Sequence, residues 1–368
     1  MADIEMADES IIELHPSWDA ALIVSHNNTR KKFLVSSHIL RVASRYFNSL
    51  LASKFEEGAK TQSGLKPDIT LHDDNPEAME MILSILHYKY QDKWYTLSAR
   101  MVSVVAMHCD KYDCAASLRP WVNQWLANFG QVERGDVGYL LVATASLGEA
   151  AKFQKISKAA VLQLPMNFDF KAWSEDEVLS ALPDGVIRNI IRKMKAVQRR
   201  LYSLLQETII DLDQNQSEIG LMDTSRCSKC LRIYKRHQNT HCPKCQPHSG
   251  QHPGVGDFPV VCSSETRVAE CTRMFTKLQL YPNEKAWREG TIAEIALRFN
   301  IIRETSTHRC DFDQRCPLKK RLVELDDAVV EVIDGIRGWK LRPLAADDAT
   351  ANADGEEKAI KELECEGL

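Results

Sequence analysis

The sequence lacks several features that would assign the chain to a common functional class. It has no apolar run near the roughly 18 to 20 residues that a membrane-spanning helix needs. Its opening residues, MADIEMADESIIELH, do not show the basic-then-apolar pattern of a secretory signal. It also has no P-loop, no glycine-rich dinucleotide fingerprint, and neither the HExxH nor the GxSxG motif. We therefore expect a non-enzymatic protein of the cytoplasm or nucleus, with no membrane contact and no small-molecule substrate.

An excess of charge of one sign is also lacking. The 368 residues carry 47 Lys and Arg against 51 Asp and Glu, a formal net charge of -4. This balance argues against a protein that coats nucleic acid along its whole length. The length allows two or three domains, each with its own core. The 11 cysteines have a particular meaning in a reducing compartment, where clustered cysteines more often bind metal than form disulfides.

Residues 16–115 show the pattern of an α+β domain, with the order hairpin, helix pair, strand, helix, helix. The preceding residues, 1–15, are expected to be disordered. The predicted elements are a strand at Ala21–Val24, a returning strand at Phe33–Val35, a helix capped by Ser36 or Ser37, a short helix from Tyr46 toward Phe55, a strand at Ile69–Leu71, a helix opened by Asn75-Pro76-Glu77, and a helix from Leu97 to Tyr112.

Short motifs spread over these elements carry a resemblance to a known family. They are Asp19, Leu22-Ile23-Val24, Phe33-x-Val35, Ile39-Leu40, Ala43-Ser44-x-Tyr46-Phe47, Phe55-Glu56-Glu57, Ile69-x-Leu71-x-Asp73, Leu86-His87-Tyr88-x-Tyr90 and Ala106-Met107-x-Cys109-Asp110-Lys111-Tyr112. Together they resemble a BTB/POZ domain over about residues 16–115. Ser36-Ser37 stand where many animal members carry a histidine–lysine pair, and in this the chain resembles the single-BTB proteins of filamentous fungi.

The resemblance implies a domain that performs no chemistry and either self-associates or docks another protein. A cullin-type ligase scaffold is one partner that the family implies, which would make the chain a ubiquitin-ligase substrate adaptor. No cullin-contact motif can be matched to specific positions, so that partner rests on family analogy alone. The side chains expected in the core are Phe33, Leu40, Tyr46, Phe47, Leu71 and Leu86.

Residues 116–215 are predicted to be almost entirely helical, with one helix over Tyr139–Ala160. After a break at Pro183-Asp184-Gly185, apolar residues recur every three or four positions from Ile187 to Leu212. Such a long helix either projects to pair with a partner or packs along the domains beside it. Its basic residues, Arg192, Lys193, Lys195, Arg199 and Arg200, are either a nuclear import signal or its solvated face.

The strongest chemical signal is Cys227-x2-Cys230 followed, after eleven residues, by Cys242-x2-Cys245. Each CxxC turn points two sulfurs at one centre, and two turns complete a tetrahedral shell for Zn²⁺. Residues 223–248 are therefore predicted to form a zinc-ribbon-like module with one structural zinc per chain. A metal-free loop is the alternative, and His237 or His241 could replace one cysteine.

The same segment is basic. No acidic residue occurs between Thr224 and Gly256, whereas six Lys and Arg residues do. Phosphate contact with nucleic acid is one explanation. The other is local, because a zinc ion with four thiolates carries a charge of about -2 that basic neighbours would offset. The leading hypothesis is thus an interaction adaptor, and the alternative is a zinc-ribbon regulator associated with nucleic acid.

Residues 257–343 are predicted to form a small helical C-terminal module, with helices near Glu284–Asn300 and Cys316–Gly335. The acidic stretch 344–368 is expected to be disordered. Five residues of this half could form a second metal site, although their spacing matches no known knuckle. They are Cys262, Cys271, His308, Cys310 and Cys316.

Overall fold

The computed structural model describes residues 9–26, 29–183, 185–215, 219–226, 233–235, 258–282, 284–308 and 316–339. Within them, a four-stranded sheet opens the fold, with strands in the order β1-β3-β2-β4. The strands are β1 Glu9–Glu13, β2 Ala20–His26, β3 Thr29–Val35 and β4 Asp68–Leu71. β2 and β3 form the predicted antiparallel hairpin, and β4 runs parallel to β2.

The central strand β2 is buried from Ala20 to Val24, because it is paired on both sides. The expectation that residues 1–15 are disordered is wrong for Glu9–Glu13. These residues form β1, which pairs in parallel with β3 from Glu9 opposite Arg30 to Glu13 opposite Leu34. The open edge of β3 offers unpaired backbone groups, and β1 satisfies them.

Five helices complete the N-terminal domain: α1 Ser37–Ala43, α2 Arg45–Leu50, α3 Glu56–Gln62, α4 Pro76–Leu86 and α5 Ala99–Lys111. The start of α4 is confirmed, since the Asn75 side chain accepts hydrogen bonds from the backbone N–H groups of Glu77 and Ala78. The start of α1 is also confirmed, but no serine side chain caps it. The Ser37 hydroxyl instead donates to Asp19.

Five of the six predicted core side chains are buried, and Tyr46 is not. Its side chain is 41% exposed. The ring lies at the edge of the core, packing edge-on against Phe47 and Tyr112. Tyr46 therefore packs on the core from the surface of the domain and is not part of its interior.

The segment after the N-terminal domain is helical, as predicted, with α6 Arg119–Ala127, α7 Val137–Ser146, α8 Ala150–Gln163, α9 Lys171–Glu175 and α10 Val186–Gln214. The single helix expected over Tyr139–Ala160 is wrong. Gly148, with φ at +66°, separates α7 from α8. This left-handed conformation favours glycine and ends a helix.

The long helix α10 is confirmed, and it packs within the molecule. Its buried residues recur at helical spacing, and the face that they form contacts α8, α11, α13 and α15. The interpretation of a projecting helix therefore does not hold for this structure. The inward-facing residues are Ile190, Met194, Val197, Leu201, Leu204, Leu205, Thr208 and Leu212.

The C-terminal half combines a three-stranded sheet, order β6-β5-β7, with five helices. No helix that the structure describes, in this half or elsewhere, is long and apolar enough to cross a membrane. The predicted helix at Glu284–Asn300 is divided in two by Thr291, whose side chain caps α13. The elements are β5 Ile219–Arg226, β6 Ile233–Lys235, β7 Phe258–Cys262, α11 Ser264–Lys277, α12 Glu284–Glu289, α13 Ile292–Asn300, α14 Ile302–Thr305 and α15 Pro317–Asp334.

Two buried histidines lock the N-terminal domain in the same way. His87 Nε2 accepts the backbone N–H of Ser36 at 3.0 Å, so in the neutral ring Nδ1 carries the proton and donates to the Leu83 carbonyl at 2.7 Å. His108 repeats the pattern, with Nε2 accepting from Asn75 N–H and Nδ1 facing the Val104 carbonyl. Each imidazole joins a helix to the start of another element only while it is neutral.

The stability of the domain should therefore depend on pH through His87. Burial lowers the pKa of His87 below its usual 6.5, against the opposing effect of the Leu83 hydrogen bond. The unfolded chain then binds the proton more readily, so this stabilisation is present above pH 6.5 and is lost as the pH falls below it. We expect His87→Gln to lower the free energy of unfolding by about 1 to 3 kcal/mol at pH 7.5. At pH 5.5 the difference from wild type should be smaller. Thermal unfolding at both pH values measures this, and a constant deficit would contradict it.

Candidate functional site

The four predicted zinc ligands, Cys227, Cys230, Cys242 and Cys245, lie outside the described residues, as do His237 and His241. The structure does describe the strands on either side of the first pair. β5 ends at Arg226 and pairs antiparallel with β6, with Arg226 opposite Ile233. The segment that holds Cys227 and Cys230 therefore connects the two strands of a β-hairpin.

An exposed group of aromatic side chains lies on the N-terminal domain and α6. We call Tyr90, Tyr95 and Trp121, which contact one another, together with Tyr88, two residues before Tyr90 in the chain, the aromatic surface. The rings of Tyr95 and Trp121 stack at 4.6 Å, and Tyr90 packs edge-on against Trp121 at 5.2 Å. The tyrosines keep 85%, 49% and 42% of their surface exposed, in chain order. Such rings lose little conformational entropy on binding and are enriched in interface hot spots.

The aromatic surface is held rigid from beneath. Trp121 packs against the buried Trp125 at 6.0 Å. The Trp125 indole N–H donates to the carbonyl oxygen of Trp94 at 2.6 Å. Tyr95 is held in addition by its carbonyl oxygen, which accepts from the Asn128 side chain at 3.0 Å. The rings are therefore ordered before any partner arrives, which reduces the entropic cost of docking.

Tyr88 stands out within this surface because its backbone is strained. It has φ at +59°, a left-handed conformation that costs a residue such as tyrosine roughly 1 kcal/mol or more. The side chain gains little in return within the chain, since 85% of its surface is exposed. A strained and exposed aromatic residue is a candidate for contact with another molecule.

A second candidate lies in the C-terminal half. Cys262, His308 and Cys316, here called the Cys–His–Cys cluster, have their ligand atoms within 4.8 Å of one another. Cys262 Sγ lies 3.4 Å from His308 Nε2 and 4.0 Å from Cys316 Sγ. Both cysteines are fully buried. This group could hold a metal ion.

The structure thus selects among the five residues that the sequence left open. Three of them come together. Cys271 is also buried, but it is not part of the cluster among the described residues, and Cys310 lies outside them. The three ligand residues come from separate segments: Cys262 ends β7, His308 follows α14, and Cys316 precedes the first residue of α15.

Glu270 on α11 holds the segment that presents His308. Its carboxylate accepts hydrogen bonds from the backbone N–H of Thr307 at 2.5 Å and that of His308 at 3.1 Å. The same carboxylate forms a bidentate ion pair with Arg273 at 2.7 and 2.8 Å. Burial raises the pKa of this carboxyl group, but the Arg273 and Thr307 hydrogen bonds prevail and lower the pKa of Glu270 to about 2.

Replacing Glu270 by Gln should destabilise this half of the molecule in a pH-dependent way. The folded pKa is about 2 against a usual 4.5, so the carboxylate contributes stability above pH 4.5 and loses it as the pH falls toward 2. For a side chain that is 11% exposed, we expect a cost on the order of 2 kcal/mol at pH 7. Denaturant unfolding at pH 7 and pH 4 should show the deficit shrinking at pH 4. An equal loss of stability at both pH values would mean that the charge of the Glu270 carboxylate does not contribute to stability.

Comparison with known proteins bears on the N-terminal domain. No curated protein matches the chain. Residues 13–119 match the family model of the BTB/POZ domain, which agrees with the strands and helices found there and with the resemblance carried by the sequence motifs. BTB/POZ domains mediate protein–protein interaction, by self-association or with a different protein. The match supports a BTB/POZ domain over residues 13–119.

Proposed function

We propose that the chain is a non-enzymatic interaction adaptor: its BTB/POZ domain docks a partner protein or a second copy, and the helical and zinc-bearing remainder recognises another protein. The observation that carries the proposal is the match of residues 13–119 to a domain of that kind. The domain core supports it, because the sheet and its helices enclose a continuous apolar interior. A cullin scaffold as the partner, a role as a ubiquitin-ligase substrate adaptor, and membership of the fungal single-BTB group remain predictions.

The aromatic surface supports docking at a specific place. It presents Tyr90 and Tyr95 on a rigid base, with the exposed Tyr88 close to them in the sequence, and tyrosine and tryptophan are residue types that often dominate binding energy. Tyr88, strained and almost fully exposed, is its most accessible member. We therefore place the contact with a partner on this surface.

A location in the cytoplasm or nucleus fits the cysteines. Cys109, Cys114, Cys262, Cys271 and Cys316 are free thiols in the structure. Thiols persist in reducing compartments, whereas secreted proteins oxidise them. A buried pair such as Cys109 and Cys114, close enough for burial and mutual contact to raise the pKa of Cys109, is suited to such an environment.

Substitution of Tyr88 by Asn tests the docking surface. Asparagine tolerates the left-handed conformation, so the fold should be unchanged or slightly stabilised while the exposed ring is removed. In the full chain, we expect Tyr88→Asn to weaken self-association, or binding of a partner first identified by pull-down, by on the order of tenfold or more. Sedimentation velocity over a concentration series measures the first, and titration calorimetry the second.

Leu65→Asn is the matched control, because Leu65 is an apolar residue of the same domain, is 58% exposed and lies outside the aromatic surface. It should leave binding unchanged. If both variants weaken binding equally, or if neither weakens it, the aromatic surface is not the docking surface. A full-length chain that remains monomeric at high concentration, together with a pull-down that retains no protein, would overturn the adaptor function itself.

We further propose that Cys227, Cys230, Cys242 and Cys245 bind one structural zinc ion. The spacing of the two CxxC pairs supports this, and β5 and β6, which pair antiparallel on either side of the first pair in the sequence, are compatible with it. Elemental analysis of protein prepared without chelator should show one zinc fewer per chain after Cys242→Ser combined with Cys245→Ser. An unchanged zinc content would defeat this assignment. The alternative function, a regulator that contacts nucleic acid through the basic residues of this segment, remains a prediction.

A further inference from the structure

The dimensions of the Cys–His–Cys cluster agree with those of a tetrahedral zinc site. Zinc binds cysteine sulfur at about 2.3 Å and histidine nitrogen at about 2.0 to 2.1 Å. Tetrahedral angles then place two sulfurs about 3.8 Å apart and a sulfur and a nitrogen about 3.6 Å apart. The corresponding distances in the structure are 4.0 Å and 3.4 Å. These two distances are within a few tenths of an ångström of the values for a zinc site, and the third pair of atoms, His308 Nε2 and Cys316 Sγ, lies within 4.8 Å.

Two simpler explanations account for less of this geometry. A disulfide between Cys262 and Cys316 needs sulfurs about 2.05 Å apart, about half the observed 4.0 Å, and gives His308 no role. Hydrogen bonds from a thiol to His308 and between the two thiols can also explain the contacts, but a thiol is a weak donor, so such bonds give little reason to bring the three groups together. Metal binding uses all three groups at once.

A buried cation lies beside the cluster. The Arg267 side chain is fully buried, and its guanidinium donates to the Cys262 carbonyl oxygen at 3.3 Å. Two thiolates and a neutral imidazole are a donor set that zinc prefers, whereas magnesium and calcium take oxygen ligands.

His308 is held in place and can be reached from solvent. Glu270 binds the backbone N–H groups of Thr307 and His308, so the ring is presented by a fixed segment. Metal-ligand residues characteristically have such a supporting shell. His308 also lines an open groove of about 500 Å³ together with Ser306 and Asp326, which gives an ion a path to the buried sulfurs.

The cluster lies at the opposite end of β5 from Arg226, the last residue before Cys227. Cys262 is opposite Ile219, whereas Phe258 is opposite Arg226. A strand advances about 3.3 Å per residue, so the four steps of β7 separate the two ends by roughly 13 Å. One ion cannot bind at both ends of β5.

We propose that Cys262, His308 and Cys316 bind a zinc ion, distinct from the one predicted for the four-cysteine segment, and that this ion fastens the end of β7 to the start of α15. Cys262 is followed directly by Ser263, which caps α11, and Cys316 is the N-cap residue of α15. The ion therefore fixes the starts of α11 and α15, two of the helices that pack on α10. It also joins residues that are 46 and 54 positions apart in the sequence.

Zinc content of full-length variants tests the site. Cys262→Ser and His308→Ala should each lower the zinc content by one equivalent per chain relative to wild type. Cys271→Ser is the matched control, because it removes an equally buried thiol of the same half and should leave the content unchanged. His308→Cys offers a third thiolate and should retain the ion. The loss is measured as a difference, so it does not depend on whether the four-cysteine segment also binds zinc.

Alkylation of the wild-type chain gives a second readout that requires no variant to fold. Mass spectrometry should show Cys262 and Cys316 reacting at least tenfold faster after chelation and returning to slow reaction when zinc is restored, with Cys271 unaffected. Equal alkylation rates with and without chelator, a mass that reveals a disulfide between Cys262 and Cys316, or a zinc content that Cys262→Ser and Cys271→Ser lower equally would each overturn the proposal.

Discussion

Burial of one face of α10 is the interaction on which the C-terminal two thirds of the structure depend. That face packs on α8 and α13 and on the two helices, α11 and α15, that start beside the Cys–His–Cys cluster. α8 in turn packs on α7, and α7 lies against α5 of the BTB/POZ domain. The apolar contacts therefore run without a break from the N-terminal sheet to the last described helix. The domain is part of a larger packed body, and the surface that it can offer to a partner is restricted by its own chain.

Periodic burial explains which elements could be predicted. α10 was found because its inward positions repeat at helical spacing over more than twenty residues, and the helix start at Asn75 because a cap residue and a proline mark it locally. β1 could not be found in the same way. Its five residues form a strand because β3 has an open edge, and that edge exists only in the folded chain. The prediction that Tyr46 lies in the core is wrong for a related reason. Its spacing is that of a core residue, but the ring lies at the edge of the core, against Phe47.

The two candidate metal sites differ in how far sequence can reveal them. The four-cysteine segment can be recognised in the sequence by its spacing, because each CxxC turn supplies two neighbouring ligands. The ligands of the Cys–His–Cys cluster come from three segments, with His308 46 positions and Cys316 54 positions after Cys262 in the sequence. Composition named five candidates, but only the fold separates Cys271, which faces the core from α11, from the three that converge. A ligand set of this kind has no local signature.

The small sheet in the C-terminal half gives the two metal proposals a common physical reason. It has three strands, and β6 has only three residues. A sheet of this size is stable only when an apolar face or a packed helix supports it. β7 ends in Cys262 at one end of the sheet, and β5 ends at Arg226, the residue before the first CxxC pair, at the other. Metal ligation at both ends would clamp strands that hydrogen bonds alone hold weakly. The end near Cys262 needs this most, because β7 leads directly into α11, and a frayed β7 would release the helix that lies against α10.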